Sequence, residues 1–106
     1  MRIDIDFSIF TPTPSSEGVI SGKIEVNELP RVGELVSFSF APNESKFPLE
    51  SGFNPLLKVE NVIHNANGQS AAVQLQNLIL PNKKSVIEVT AFLEQGFGLF
   101  FSPTSE

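Results

Sequence analysis

The chain has no cysteine, no tryptophan and no tyrosine among its 106 residues. The absence of cysteine excludes disulfide scaffolds, thiolate metal sites, thiol nucleophiles and iron–sulfur clusters. It also agrees with a reducing compartment, and we expect a cytoplasmic protein. Its aromatic residues are ten phenylalanines, which lack the polar group that tyrosine and tryptophan carry on their rings.

Long apolar runs are missing as well. A signal peptide needs about 7–15 uninterrupted apolar residues, but the N-terminal residues alternate apolar with charged side chains, as in Ile3, Asp4 and Ile5. A membrane helix needs about 18 apolar residues, and no segment of the sequence approaches that length. We therefore expect no membrane association.

Basic residues are scarce, with seven against twelve acidic ones, a net charge of −5 and a pI near 4.8. Binding to duplex nucleic acid usually requires several Lys or Arg side chains on one face. Only Lys83 and Lys84 lie side by side, and the glycines of a phosphate-binding loop do not precede them. The composition therefore predicts no nucleic-acid partner, and the lysine pair is interpreted as solvated.

Alternation of apolar and polar residues is the main pattern of the sequence. In residues 1–10, Ile3, Ile5 and Phe7 share one face, and residues 19–26 repeat the pattern. Such alternation is typical of strands with one buried and one solvated face. The proline-rich residues 11–18 between them indicate a loop, so we expect a hairpin.

Further short strands are predicted along the chain. Residues 34–40 would carry Val36, Phe38 and Phe40 inward. Residues 56–64 form another strand with a bulge near Asn61, where the alternation slips. An Asn-Gly turn then leads to a strand over residues 71–80, and a last strand covers residues 97–101. We expect Phe100 to point away from the core there, because a strand with one wet face buries only alternate residues.

Residues 85–95 allow two interpretations. Ser85 and Glu88 match a capping box, and Gly96 suits the end of a helix. The alternation that begins at Ile87, rich in Val, Ile and Thr, instead favours a strand. We favour a short helix.

Five to six short strands and one helix near the C-terminus predict a mainly β, single-domain antiparallel barrel over residues 1–106. A barrel removes the exposed edges that a small sandwich leaves. Residues 41–55 are expected to form a long ordered loop, and residues 102–106 a frayed tail. Residues 29–36, 59–64 and 73–75 resemble a layout found in small β-barrel proteins of bacteria, and this resemblance implies the fold alone.

Candidate catalytic groups are few. His64 is the only histidine, and in a regular strand it lies about 13–14 Å from Glu60, too far for a hydrogen bond. Asp4 and Asp6 lie about 7 Å apart on one strand face, but no further ligands accompany them. We expect no metal and no cofactor. A small enzyme that uses His64 with Asp4, Asp6 or Glu60 is retained as an alternative.

The phenylalanines carry the leading functional hypothesis. Phe47 and Phe53 lie in the long loop, Phe92 lies on the predicted helix, and Phe100 faces away from the core. We interpret these four, together with His64, as candidate binding residues, although ten phenylalanines in a small barrel are also suited to its core. Exposed apolar patches mark interaction sites. The sequence thus predicts a non-enzymatic interaction module that binds a protein partner or self-associates as a homodimer. A further alternative is an acidic inhibitor or immunity-type protein that docks on a basic partner.

Overall fold

The computed structural model describes residues 1–12, 15–68 and 70–104, with the backbone alone described for Ser15. These residues form seven β-strands in a mixed sheet and one α-helix near the C-terminus. In chain order the elements are β1 Arg2–Thr11, β2 Ser15–Glu25, β3 Leu35–Ser37, β4 Leu56–Ile63, β5 Ala72–Leu75, β6 Leu78–Ile79, α1 Lys83–Phe97 and β7 Phe100–Pro103. The prediction of a mainly β fold with a C-terminal helix is confirmed.

The predicted hairpin is formed by β1 and β2, which pair antiparallel along their lengths with a register shift between Ile9 and Phe10. The strands extend further into the predicted loop than expected, to Thr11 and from Ser15, while residues 13 and 14 lie outside the described residues. The side chains of alternate β1 residues are buried. The hairpin therefore supplies one apolar face to the core.

The sheet is mixed rather than antiparallel. Its strand order is β3-β4-β5-β1-β2-β7, and β6 pairs with β1 beyond β5. Both β5 and β6 run parallel to β1. The single strand predicted over residues 71–80 is divided into these two strands at Gln76 and Asn77. No pairing joins β3 to β2 or β7 among the described residues. The sheet is thus open there, and a closed barrel is not confirmed.

Residues 83–97 are helical, which resolves the ambiguous segment. Asn82 is the N-cap, since its side-chain oxygen accepts the Ser85 N–H at 2.9 Å, so the helix begins before the predicted capping residue Ser85. It ends at Gly98, whose φ of 70° lies in the left-handed region that glycine adopts readily. Ile87 is exposed while Val89 is buried, as the helical period requires. No helix within the described ranges is long and apolar enough to cross a membrane.

The third and the last predicted strands also have different bounds, and one core assignment is wrong. The third strand ends at Ser37, so Phe38 is buried but Phe40 is 90% exposed instead of inward. The backbone turns out of the ladder there, and the Ser39 N–H bonds to Ser37 Oγ at 3.2 Å. The last strand begins at Phe100 and includes Ser102 and Pro103 of the predicted tail; residues 105 and 106 lie outside the described residues.

The loop over residues 41–55 packs on the end of α1. Asn43 Nδ2 donates to the Gln95 carbonyl oxygen at 2.7 Å. A Cβ placed on Gly96 would lie 2.8 Å from Ala41 Cβ, so only glycine allows this close approach. Within the loop, Ser51 Oγ donates to the Pro48 carbonyl at 2.6 Å. The loop thereby covers part of the core that β1, β2, β4, β5 and α1 share.

Candidate functional site

Three of the predicted binding residues belong to an aromatic cluster, which also includes Phe38 and Phe97. The rings of Phe47 and Phe53 are stacked at 5.6 Å, and that of Phe47 lies 5.4 Å from Phe92. Phe92 in turn contacts Phe97 at 5.5 Å, and Phe97 contacts Phe38 at 5.1 Å. Phe53 and Phe92 are buried and Phe47 is half-buried. These rings attach the loop to the helix, and a binding role for Phe47, Phe53 and Phe92 stays a prediction.

The other two predicted binding residues are exposed and lie apart from the aromatic cluster. Phe100 is 68% exposed and faces away from the core, as expected for its position in β7. His64 is exposed just beyond the end of β4. Within the described part of the chain, His64 makes no hydrogen bond or ion pair with Asp4, Asp6 or Glu60. The arrangement that the enzymatic alternative requires is not assembled.

The carboxylates are distributed over several elements. Asp4 pairs with Lys23 at 2.7 Å, and Glu17 with Lys83 at 2.8 Å. Burial raises the pKa of Asp6, which lies with Glu60 in a polar depression on the sheet. No group of three or more His, Cys, Asp or Glu side chains in the described ranges could hold a metal ion. The acidic inhibitor, which needs contiguous carboxylates on one face, stays a prediction.

A broad surface depression lies where the sheet is open. It has a volume of about 1310 Å³, and we call it the seam groove. One wall is the end of β2 with the following loop, the other is β3, and the C-terminus of α1 lies between them. Its lining includes Lys23, Glu25, Leu35, Ser37, Phe40 and Phe97.

The β2 wall of the seam groove presents unpaired backbone groups. The terminal amine of Met1 donates to the Val26 carbonyl at 2.7 Å, and the Val26 N–H donates to the Met1 carbonyl at 2.8 Å. In an antiparallel pair, hydrogen-bonded residues alternate with residues whose amides point outward. The backbone N–H and C=O groups of Lys23 and Glu25 therefore point away from β1. In the described residues β7 does not pair with them, because it stops opposite Ser21.

The β3 wall shows the same arrangement. The Val59 N–H donates to the Glu34 carbonyl and the Phe38 N–H to the Pro55 carbonyl, both at 2.8 Å. The intervening residues Leu35 and Ser37 consequently direct their backbone N–H and C=O groups away from β4. In the described part of the chain no other strand pairs with this edge. Two free strand edges thus line one groove.

Apolar side chains and balanced charges complete the seam groove. Leu35 is 59% exposed and Phe40 is 90% exposed, while Val26, Leu29 and Phe97 are half-buried on the core. The charged side chains of the lining are three basic and three acidic: Arg2, Lys23, Arg31, Glu25, Glu28 and Glu34. The groove is therefore electrically neutral with an apolar component.

Sequence reasoning missed the seam groove because its walls are distant in the chain. The available signals were weak: a short third strand, and a proline at position 42 shortly after Phe40, which disfavours extension of a ladder. Neither signal shows that β2 and β3 approach each other. No family model, no curated protein and no solved structure matches this chain.

Proposed function

We propose that the protein is a non-enzymatic interaction module and that its partner binds in the seam groove. One observation carries the proposal: the outward backbone groups of β2 and β3 line the same groove, beside the exposed side chains of Leu35 and Phe40. Unpaired strand edges are templates for pairing with another chain. Exposed apolar residues next to such an edge provide the contact area that stabilises an interface.

The size of the seam groove favours a polypeptide over a small molecule. Pockets for small ligands have volumes of about 300–1,000 Å³ and enclose most of the ligand surface. The seam groove is larger, at about 1310 Å³, and is bordered by strands. A small ligand would leave much of the backbone edge unpaired, whereas a chain segment would use it.

Two exposed phenylalanines provide the test. Phe40 lines the seam groove, whereas Phe100 lies on β7 and does not. The wild-type protein, Phe40→Ala and Phe100→Ala are each presented to a displayed library of random nine-residue peptides, and the affinities of selected peptides are measured by calorimetry. We expect Phe40→Ala to weaken binding by about tenfold, the effect of losing a buried aromatic contact, and Phe100→Ala to leave it unchanged.

The reverse result would overturn the proposal. If Phe100→Ala abolishes binding while Phe40→Ala retains it, the interaction surface is the one predicted from sequence around Phe100. If no peptide is selected by the wild-type protein, the seam groove is not a binding site for chain segments.

Self-association is the second candidate, because β2 carries complementary charges on its free edge. In an antiparallel pairing of two β2 edges centred on Ile24, Lys23 of one chain lies opposite Glu25 of the other. Sedimentation equilibrium of the wild-type protein should then show a dimer, and Glu25→Lys should shift it to monomer because like charges would face each other. A monomeric wild-type protein at high concentration would contradict this candidate.

A further inference from the structure

We infer that the occupant of the seam groove is an extended peptide segment that adds as a β-strand between β2 and β3. The inference rests on the proposed function and specifies its partner. Strand addition to an exposed edge is a recurring mode of peptide recognition, in which main-chain hydrogen bonds contribute affinity and alternate side chains contribute specificity.

The backbone of the seam groove matches the requirements of such a segment. On each wall the outward residues are two positions apart, Lys23 with Glu25 and Leu35 with Ser37, so each wall repeats about every 6.6–6.8 Å. An extended segment directs the backbone groups of alternate residues to opposite sides. One strand in the groove would therefore offer backbone groups to β2 on one side and to β3 on the other.

The directions of the strands restrict how the segment can run. β2 is antiparallel to β1, whereas β5 is parallel to β1. Because β4 is antiparallel to β5 and β3 is antiparallel to β4, β3 runs in the direction of β1 and opposite to β2. A segment antiparallel to β2 would continue the line of β7, which pairs with β2 in that sense. It would also close the sheet into the barrel that the alternation of the sequence predicts.

The lining of the seam groove specifies the side chains of the segment. Its balanced charges provide no net attraction for an acidic or a basic peptide. Val26, Leu29 and Phe97 offer a half-buried apolar floor. The segment should therefore carry apolar residues at alternate positions and uncharged residues between them. Residues 23–26, which are the end of β2 and the residue that follows it, allow a paired length of about four residues, or about 13 Å.

The edges are short and charged, which limits unspecific pairing. β3 has three residues, and the outward residues of β2 are Lys23 and Glu25. Short edge strands and charged side chains are devices that prevent aggregation through free edges. A single extended segment that lies within the groove can still pair with these edges.

Proline variants test strand addition directly. Glu25→Pro removes an outward N–H that β1 does not use, and proline is tolerated on edge strands; Glu25→Ala is the matched control that keeps the N–H. Ser37→Pro and Ser37→Ala form the same pair on β3, so one wall remains informative if the other proline variant does not fold. The probes are synthetic copies of the nine-residue peptides selected on the wild-type protein.

We expect each proline variant to bind the peptides about tenfold more weakly than its alanine control, the effect of one net hydrogen bond. In the wild-type complex, the amides of Lys23, Glu25, Leu35 and Ser37 should exchange with solvent more slowly than in the free protein. Peptides N-methylated at alternate amides should lose binding, while those methylated outside the paired length should retain it.

The outcomes separate the two proposals. If the peptides bind and Phe40→Ala weakens them, but the proline variants match their alanine controls and amide exchange is unchanged, strand addition is wrong and groove binding stands. If the wild-type protein binds no peptide, both proposals fail. If exchange at the four amides slows with protein concentration in the absence of peptide, the occupant is a second copy of the chain, and the peptide assignment is overturned.

Discussion

The two faces of the sheet follow from the same alternating sequence and have opposite surroundings. On the inner face, Ile3, Ile5 and Phe7 of β1 are buried beneath α1 and the loop over residues 41–55. Asp4 and Asp6 alternate with these residues along β1 and lie on the outer face. There, Asp4 forms an ion pair with Lys23 of the neighbouring strand β2. Alternation therefore divides the residues between two faces, whereas the covering elements decide which aromatic side chains become core.

Phenylalanines illustrate this division. The aromatic cluster lies at the covered end of the inner face, where each ring contacts at least one other. Phe100 lies on β7 with the same side-chain chemistry but is 68% exposed. Burial of a large side chain stabilises a fold by about 1.5–3 kcal/mol relative to leaving it exposed. Substitutions on the two faces should therefore differ strongly.

The largest expected effect is that of Phe92→Ala. Phe92 contacts Phe47, Phe53 and Phe97, and its truncation leaves a cavity in the core. The free energy of unfolding should fall by about 3–5 kcal/mol, measured by urea denaturation. A loss below about 1 kcal/mol would show that the loop over residues 41–55 moves to fill the cavity.

A smaller effect is expected from Asn82→Ala, which removes the N-cap of the helix that covers the inner face. The Ser85 N–H would lose its acceptor at 2.9 Å, and the free energy of unfolding should fall by about 1 kcal/mol. Asn82→Ser keeps a capping oxygen and should retain most of the stability. Equal losses in the two variants, measured by urea denaturation, would contradict the capping role.

Asp6→Asn tests the outer face through its pH dependence. Burial raises the pKa of Asp6 above its usual 3.8, so the folded state binds this proton more tightly than the unfolded state. The free energy of unfolding therefore falls as the pH rises from the pKa of Asp6 in the unfolded state through its pKa in the folded state. Asp6→Asn should be more stable than the wild-type protein at pH 7, and the gain should vanish below about pH 3.

Thermal unfolding between pH 2.5 and pH 7 measures this difference. Glu60 lines the same depression as Asp6, so the comparison is repeated in a Glu60→Gln background to isolate Asp6. Asp4→Asn is the control on the same strand face, and loss of its exposed ion pair should change stability by less than about 1 kcal/mol. A destabilised Asp6→Asn protein at pH 7 would show that the Asp6 carboxylate is instead favourable there.

The smallest effect is expected from Phe100→Ala. The ring is mostly exposed, and surface substitutions of this kind usually change the free energy of unfolding by less than about 0.5 kcal/mol. Urea denaturation of Phe100→Ala and of Phe92→Ala compares the loss in free energy of unfolding for the same substitution on the outer and the inner face. A large loss at Phe100 would mean that the outer face is covered in solution, as a dimer through β7 would cover it.

Local patterns accounted for much of the fold. The alternation of Ile3, Ile5 and Phe7 predicted the first strand, and the slip near Asn61 predicted a bulge that is present between Val59 and Asn61. These features depend on neighbouring residues, whose side-chain directions follow from strand geometry. For residues 85–95 two local patterns conflicted, and packing of a helical face on the core decided between them.

Other features could not be predicted because they depend on contacts between distant residues. Phe40 continues an alternating pattern, yet the ladder ends at Ser37 because β4 provides its last partner at Leu56. The parallel pairing of β5 with β1 joins residues about seventy positions apart. Of the candidate site, Phe100 was predicted to point away from the core, whereas the seam groove had no signal that joined its two walls.

The sequence by itself determined that the protein would be mainly β and that one face of its strands would be apolar. Period-two patterning determines these properties locally. Only the tertiary structure decided which strands became neighbours and which edges stayed free. The backbone N–H and C=O groups of Lys23 and Leu35 are the same as those of other residues, so the sequence does not mark them. They are unpaired at the seam groove because of the order of the strands in the sheet.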